Sequence, residues 1–154
     1  MEISNLKTIK KEVFVEASQE TAFQVFTQKM DEWWPKTHHV GKTPMVKSIL
    51  EPKNGGLWYS VHEDGSIANI GYVLSWNPNS QLILAWQIDG NYQYDPQLVL
   101  EVEVNFVPVD SKITRVSLEH RDLEKLIGGE KAIESMDQGW GMIINLYKKV
   151  CDPS

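Results

Sequence analysis

The hydrophobic pattern between Thr43 and Arg121 constrains the fold most, because apolar and polar residues alternate there in short runs. Alternation is the pattern of a strand with one buried face. Turn sequences separate the runs, and short connections join antiparallel neighbours. The pattern therefore predicts six antiparallel strands: Met45–Glu51, Leu57–His62, Ile67–Trp76, Leu82–Ile88, Leu98–Val107 and Ile113–Arg121.

The two ends of the chain add one strand and the helices. Alternation from Ile9 to Val15 predicts a first strand, after which Ser18 is a candidate helix N-cap. Apolar residues then recur every three or four positions until Pro35, which indicates one helix, or two short ones with a break near Lys29. The segment from Gly129 to Val150 carries the longest helical apolar stripe.

This order of elements predicts an α+β fold in one domain covering residues 1–154. A seven-stranded antiparallel sheet cannot bury its apolar face alone, and the C-terminal helix is the best available cover. We expect a curved sheet wrapped around that helix, with short helices after the first strand. An interior gap is expected wherever the curvature exceeds what side chains fill.

Composition excludes several classes of protein. The net charge is -6 and no basic stripe is present, which argues against nucleic-acid binding. No run approaches the roughly 18 apolar residues of a membrane span, and the N-terminus does not resemble a signal peptide. Because the single cysteine excludes an intramolecular disulfide, we expect a cytoplasmic protein.

The first predicted hairpin places a tryptophan opposite a glycine. Asp-Gly at 64–65 is a strong signal for a two-residue turn. Such a turn pairs Glu63 with Ser66 and therefore puts Trp58 opposite Gly71.

The next hairpin places a second tryptophan opposite the same glycine. A four-residue loop at 77–80 pairs Trp76 with Gln81, and Gly71 then faces Trp86. Large aromatic rings beside a strand glycine fill the space of its missing side chain. Two interpretations stay open: the indoles are ordinary core, or they line a pocket wall.

The last predicted hairpin turns an ionisable group inward. Pairing Val109 with Ile113 makes His120 the only ionisable residue on the apolar face of these two strands. Such a histidine is either a core residue bonded to a backbone carbonyl or a residue that contacts ligand or transfers protons. The same register puts Glu101 opposite Arg121 on the outer face, a weak surface pair.

The opposite face of the central strand is unusually apolar, with Ile70, Tyr72, Leu74 and Trp76 in alternation. Either the register is inverted there, or a partner covers that face. A second copy of the chain or a chaperone are the candidate partners.

Several short segments, in order, resemble the activator of heat-shock protein 90 ATPase homologue family. The resemblance extends from about Thr8 to Val150. It rests on Val13-Phe14-Val15-Glu16-Ala17-Ser18, Ala22-Phe23-Gln24-Val25-Phe26-Thr27, Trp33-Trp34, Gly55-Gly56, Asp64-Gly65, Gly71-Tyr72-Val73-Leu74, Asn77-Pro78, Leu82, Trp86, Thr114-Arg115-Val116-Ser117-Leu118-Glu119-His120, Gly139-Trp140, Ile144 and Leu146.

This family lies within the START-like superfamily, so the resemblance implies a helix-grip fold around a hydrophobic cavity. In eukaryotic members such a domain is the C-terminal half of a co-chaperone of the stress response. This chain is too short to hold the other half.

The sequence contains no catalytic, metal-binding or cofactor-binding motif, and no catalytic residue, metal or cofactor is predicted. His38 and His39 are adjacent in a polar loop, without the spacing of metal ligands. Cys151 lies beside Asp152 at a terminus expected to fray, with no base to activate the thiol.

The predicted cavity is the remaining functional feature, with apolar walls and few polar anchors. We rank binding of a hydrophobic small molecule first, a protein-interaction module second, and a cyclase- or hydrolase-like enzyme using His120 third. The candidate lining residues are Trp34, Trp58, Leu84, Trp86, Val102, Val104, Leu118, His120, Met136, Trp140 and Ile144.

Overall fold

A computed structural model describes residues 8–35, 43–91, 93–126 and 129–153. The strands are β1 (Ile9–Val15), β2 (Met45–Leu50), β3 (Leu57–His62), β4 (Ile67–Asn77), β5 (Gln81–Trp86), β6 (Leu100–Pro108) and β7 (Thr114–Arg121). The helices are α1 (Gln19–Gln28), α2 (Met30–Trp33) and α3 (Gly129–Cys151), and a short 3-10 turn spans Leu123–Lys125.

The seven strands form one antiparallel sheet in the order β1-β7-β6-β5-β4-β3-β2. Consecutive strands from β2 to β7 are neighbours, and short turns join all of them except β5 and β6, which are connected by residues 87–99. The first strand returns to pair with β7 at the far edge. Helices α1, α2 and α3 bury their apolar residues with one face of the sheet, so the predicted α+β helix-grip architecture is confirmed.

The start of the helical region follows its sequence signals. The Ser18 hydroxyl accepts a hydrogen bond from the backbone N–H of Thr21 at 3.2 Å, which caps α1 as predicted. Lys29 separates α1 from α2, so the two-helix alternative is the correct one. Apolar residues of both helices reach the core.

The β3–β4 hairpin has a different turn from the predicted one. The backbone N–H of His62 donates to the Ser66 carbonyl, so three residues rather than two form the turn. Gly65, at φ 85, takes the left-handed conformation that this longer turn requires. Further along the hairpin, Ile70 is an extra, bulged residue in β4 and restores the expected pairing of Trp58 with Gly71.

The β4–β5 hairpin also has a different turn from the predicted one, and a bulge again restores the predicted pairing further along the strands. Asn77 rather than Trp76 pairs with Gln81, and the loop between them has three residues instead of four. A second bulge at Leu74 then shifts the register back, and Gly71 pairs with Trp86 as predicted.

The bulge at Leu74 overturns the predicted outer apolar face. Trp76 pairs with the buried Leu82 and turns inward, where its ring lies 5.0 Å from that of Phe23. Ile70 is also buried, so the expected contact surface is reduced to the half-buried Tyr72 and the exposed Leu74.

The last hairpin has the predicted register. Val109 donates to the Ile113 carbonyl at 2.9 Å, and Val102 pairs with His120. On the outer face Arg121 forms ion pairs at 2.9 Å with Glu101, as expected, and also with Glu103 and Glu119.

The C-terminal end of α3 is anchored, contrary to the expectation that it frays. Asp152 accepts a hydrogen bond from the Glu16 backbone N–H at 2.8 Å and pairs with Lys148 at 2.6 Å. Beside it Cys151 is buried, and burial raises the pKa of its thiol to about 11. A protonated, buried thiol is a poor nucleophile.

We expect Asp152→Ala to lower the free energy of unfolding by about 1 kcal/mol, because the charged acceptor of the Glu16 amide is lost. Urea unfolding followed by circular dichroism measures this change. Lys149→Ala, in the same helical turn but at an exposed position, is the control and should change stability by less than about 0.5 kcal/mol. Equal losses in the two variants would contradict an anchoring role for Asp152.

Within the described ranges, no helix is both long and apolar enough to cross a membrane.

Candidate functional site

Four tryptophan side chains form a closed ring of contacts between the sheet and the helices. The ring centroids of Trp34 and Trp58 are 5.8 Å apart, and those of Trp58 and Trp86 are 5.6 Å apart. Trp140 closes the ring, at 5.9 Å from Trp86 and 5.8 Å from Trp34. Such offset and edge-on contacts are the favoured geometries of aromatic pairs. We call these four residues the tryptophan tetrad.

Each member of the tetrad comes from a different part of the fold. Trp34 follows α2, Trp58 lies on β3, Trp86 ends β5, and Trp140 lies on α3. The two strand residues reach the same place because both pair with Gly71. Packing of α2 and α3 over the same face then brings the other two indoles onto them.

His120 adjoins the tetrad and is fully buried. Its ring lies 4.9 Å from that of Trp86, and its Nδ1 accepts a hydrogen bond from Trp140 Nε1 at 3.0 Å. An indole N–H only donates, so Nδ1 must be unprotonated and the imidazole proton is on Nε2. Burial favours this neutral form and lowers the pKa of His120 to about 3.

Among the residues that the structure describes, two N–H groups of the site have no hydrogen-bond acceptor. Trp58 Nε1 and His120 Nε2 are both buried and unpaired in the structure. Leaving a buried donor unsatisfied costs about 1–3 kcal/mol. By contrast, the Trp86 indole donates to the Ile88 carbonyl at 2.9 Å. The unpaired polar atoms of the aromatic cluster are therefore both donors.

A second buried histidine lies on the same face of β3 as Trp58. His62 Nδ1 is 2.7 Å from the Thr43 carbonyl oxygen, so that nitrogen donates. His62 Nε2 then accepts from the Ser60 hydroxyl at 2.8 Å. Sequence reasoning missed this pair, although positions 58, 60 and 62 alternate onto one face. Both ring nitrogens of His62 are hydrogen-bonded, whereas in His120 only Nδ1 is.

The structure brings five of the eleven predicted lining residues into mutual ring contact: the tetrad and His120. The other six are buried in the same hydrophobic core, and their role as lining residues stays a prediction. They are Leu84, Val102, Val104, Leu118, Met136 and Ile144.

One charged side chain faces inward near α3. Lys11 pairs with Leu118 across the β1–β7 ladder and so shares the inner face. Its ammonium forms an ion pair with Asp137 of α3 at 3.1 Å. The positive charge is therefore already neutralised.

Nothing in the part of the chain that the structure describes groups three or more side chains able to hold a metal ion. The predicted loop histidines, His38 and His39, lie outside the described residues.

No family model and no curated protein matches the chain. Solved structures do match. An anthrahydroquino-γ-pyrone synthase, Txn09, in complex with SUM is 35% identical, with 96% of this chain and 88% of that chain covered and a TM-score of 0.60. The self-sacrificing resistance protein CalC from Micromonospora echinospora is 28% identical, with 96% of each chain covered and a TM-score of 0.71.

The chain belongs to the START-like superfamily. Its more specific likeness to the heat-shock protein 90 ATPase activators is limited to the fold. The solution structure of the Aha1 dimer from Colwellia psychrerythraea is 14% identical, at a TM-score of 0.65 and with 94% of this chain and 95% of that chain covered. The START-like fold is thus shared with proteins of different functions, and function must be argued from the site.

Proposed function

We propose that this START-like chain binds a flat, hydrophobic small molecule against the tryptophan tetrad. The observation that carries the proposal is the closed ring of four indoles, drawn from four separate elements and adjoined by His120. Aromatic pairs contribute about 0.5–1.5 kcal/mol beyond the burial of apolar area. Several such faces in one place favour a flat aromatic ligand over a flexible chain.

The more similar solved structures support this class of ligand. The 35% identical protein is named as a synthase of an anthrahydroquino-γ-pyrone, which is a fused-ring aromatic compound. The interior surface between sheet and C-terminal helix is also the site that the START-like resemblance implies. A flat molecule placed there would contact both β3 and α3.

The other two candidate functions have less support. A co-chaperone role required an outer apolar face, and inward rotation of Trp76 together with burial of Ile70 removes half of it. Acid–base catalysis by His120 is disfavoured because its low pKa makes the imidazole a weak base near neutral pH.

Titration of tryptophan fluorescence tests the proposal. We expect saturable quenching by anthraquinone and by other three-ring aromatics, and weak or no response to palmitate or cholesterol. Trp34→Leu removes one indole of the tetrad and should weaken binding about three- to tenfold. Trp76→Leu is the matched control, because that indole packs against Phe23 outside the tetrad, and its affinity should stay within about twofold.

The result that would contradict the proposal is equal weakening in the two variants, or tighter binding of palmitate than of any flat aromatic compound. Circular dichroism of each variant establishes that the fold is kept before affinities are compared.

A further inference from the structure

The unpaired donors of the site specify the polar chemistry of a ligand. Trp58 Nε1–H can only donate. His120 Nε2–H is also a donor, because the Trp140 indole occupies the other ring nitrogen as an acceptor. Both residues are fully buried, and both rings contact that of Trp86, at 5.6 and 4.9 Å between centroids. The site therefore contains two buried hydrogen-bond donors, both next to Trp86, that have no acceptor in the described part of the protein.

We propose that the natural ligand is a neutral aromatic ketone or quinone whose carbonyl oxygens accept hydrogen bonds from Trp58 Nε1–H and His120 Nε2–H. This inference rests on the proposed function and names its ligand class. A carbonyl oxygen only accepts, so it complements donors that have no acceptor in the protein.

A charged ligand fits the same surroundings poorly. Burying an isolated ionised group is costly unless an opposite charge or metal compensates it. The inward-facing ammonium of Lys11 is already paired with Asp137, and the His120 imidazole is neutral. An amine or ammonium ligand would bring further donors to two groups that can only donate.

The hydrogen bonding of the tryptophan N–H groups also distinguishes a binding site from ordinary core. The indole N–H groups of Trp33 and Trp86 donate to the Val25 and Ile88 carbonyls, both within 2.9 Å. The Trp58 indole is more deeply buried than either but lacks such a bond. Unsatisfied buried donors that destabilise the free protein become bonded when a ligand binds.

Equilibrium dialysis with anthracene and 9,10-anthraquinone tests the inference. The two compounds share the same three flat rings and differ in two carbonyl oxygens. We expect the wild-type chain to bind anthraquinone at least about tenfold more tightly than anthracene. Trp58→Phe should reduce this ratio about threefold or more. The double variant His120→Phe/Trp140→Phe should do the same, and Trp140 is replaced with His120 because its indole N–H would otherwise lose its acceptor and become a new free donor. The ratio is the readout because a general loss of packing affects both compounds.

Trp33→Phe is the matched control, because it removes a buried indole N–H that already has a protein acceptor, the Val25 carbonyl, and that lies outside the tetrad. Its ratio should equal that of the wild type. Its stability should fall more than that of Trp58→Phe, which has no hydrogen bond to lose. Anthraquinone-2-carboxylate should bind more weakly than anthraquinone.

The outcomes separate the two proposals. Equal binding of anthracene and anthraquinone overturns the donor inference and leaves hydrophobic binding standing, whereas binding of neither compound overturns both. A wild-type ratio retained in Trp58→Phe or in His120→Phe/Trp140→Phe, or tighter binding of the carboxylate, also overturns the inference.

Discussion

Lowering the pH from 6.5 towards 3 is expected to reduce the free energy of unfolding steeply, because His120 stays neutral in the folded chain. Burial lowers its pKa from 6.5 to about 3. Between these values the unfolded chain takes up a proton that the native chain does not. The resulting loss is up to about 1.4 kcal/mol for each pH unit.

The sign follows from the depressed pKa of a base. Above pH 6.5 the imidazole is neutral in both states, so His120 contributes its full stability there. As the pH falls through 6.5, the unfolded state gains the proton first and the balance shifts towards unfolding. Protonation in the native state would also convert Nδ1 into a donor and break its bond with Trp140.

Urea unfolding at half-unit intervals between pH 4 and pH 8 measures this dependence. His120→Gln is the comparison variant, because a glutamine amide oxygen is able to accept from an indole N–H and does not titrate. The difference in free energy of unfolding between wild type and variant should change by about 1.4 kcal/mol per unit below pH 6. A nuclear magnetic resonance titration that places the native pKa of His120 near 6.5 would contradict the argument.

The same histidine shows what sequence can and cannot provide. Its inward direction followed from alternation and from one well-defined turn at Val109 and Ile113, both local properties of the chain. Its hydrogen bond to Trp140, which lies twenty residues later in the chain, depends on how α3 packs over the sheet. Helical periodicity places Trp140 on the apolar stripe of α3, but it determines neither the position of α3 along the sheet nor the side-chain torsions. The sequence therefore did not predict which ring nitrogen of His120 is bonded.

The bulges illustrate a second limit of pattern reasoning. Alternation predicts the register of a regular hairpin, yet Ile70 and Leu74 each insert one extra residue into β4. Only the first of these bulges has a sequence signal, the adjacent Gly71. At Gly71 each bulge offset an error in the predicted turn, so the tryptophan pairings were right. Trp76 lies between the bulge at Leu74 and the β4–β5 turn, so the bulge did not correct its register. The predicted outward direction of its side chain was therefore wrong.

Ser60 and His62 were within reach of the sequence. They alternate with Trp58 on a predicted strand, which places all three side chains on one face. The alternation of positions 58, 60 and 62 is therefore sufficient to predict a polar pair on the face of β3 that carries Trp58.

Replacement of Gly71 by alanine is expected to lower the free energy of unfolding by more than about 4 kcal/mol, a loss seen only for a few severe mechanisms. A Cβ atom built at this position lies 1.7 Å from the carbonyl oxygen of Ala85 and 2.9 Å from its carbonyl carbon. Those are backbone atoms of the neighbouring strand, so a change of side-chain rotamer cannot relieve the overlap.

The strain at Gly71 must therefore move β4 away from β5, and the tetrad is held by the same pairing. Trp58 and Trp86 both lie opposite Gly71, so separation of the strands displaces two of the four indoles. We expect Gly71→Ala to lose the near-ultraviolet circular dichroism of the packed tryptophans and binding of flat aromatic compounds together. The variant is compared with wild type by urea unfolding and by that spectrum.

Gly141→Ala is the matched control, since it adds the same methyl group in α3, where the new Cβ meets only the flexible end of Lys11, at 3.8 Å or more. An alanine within a helix is favoured over glycine by about 0.5–1 kcal/mol, so this variant should equal or exceed wild-type stability. If Gly71→Ala instead unfolds at the wild-type urea concentration with its spectrum intact, the close approach of β5 is not what requires glycine there. The tetrad would then owe its position to the helices rather than to the pairing at Gly71.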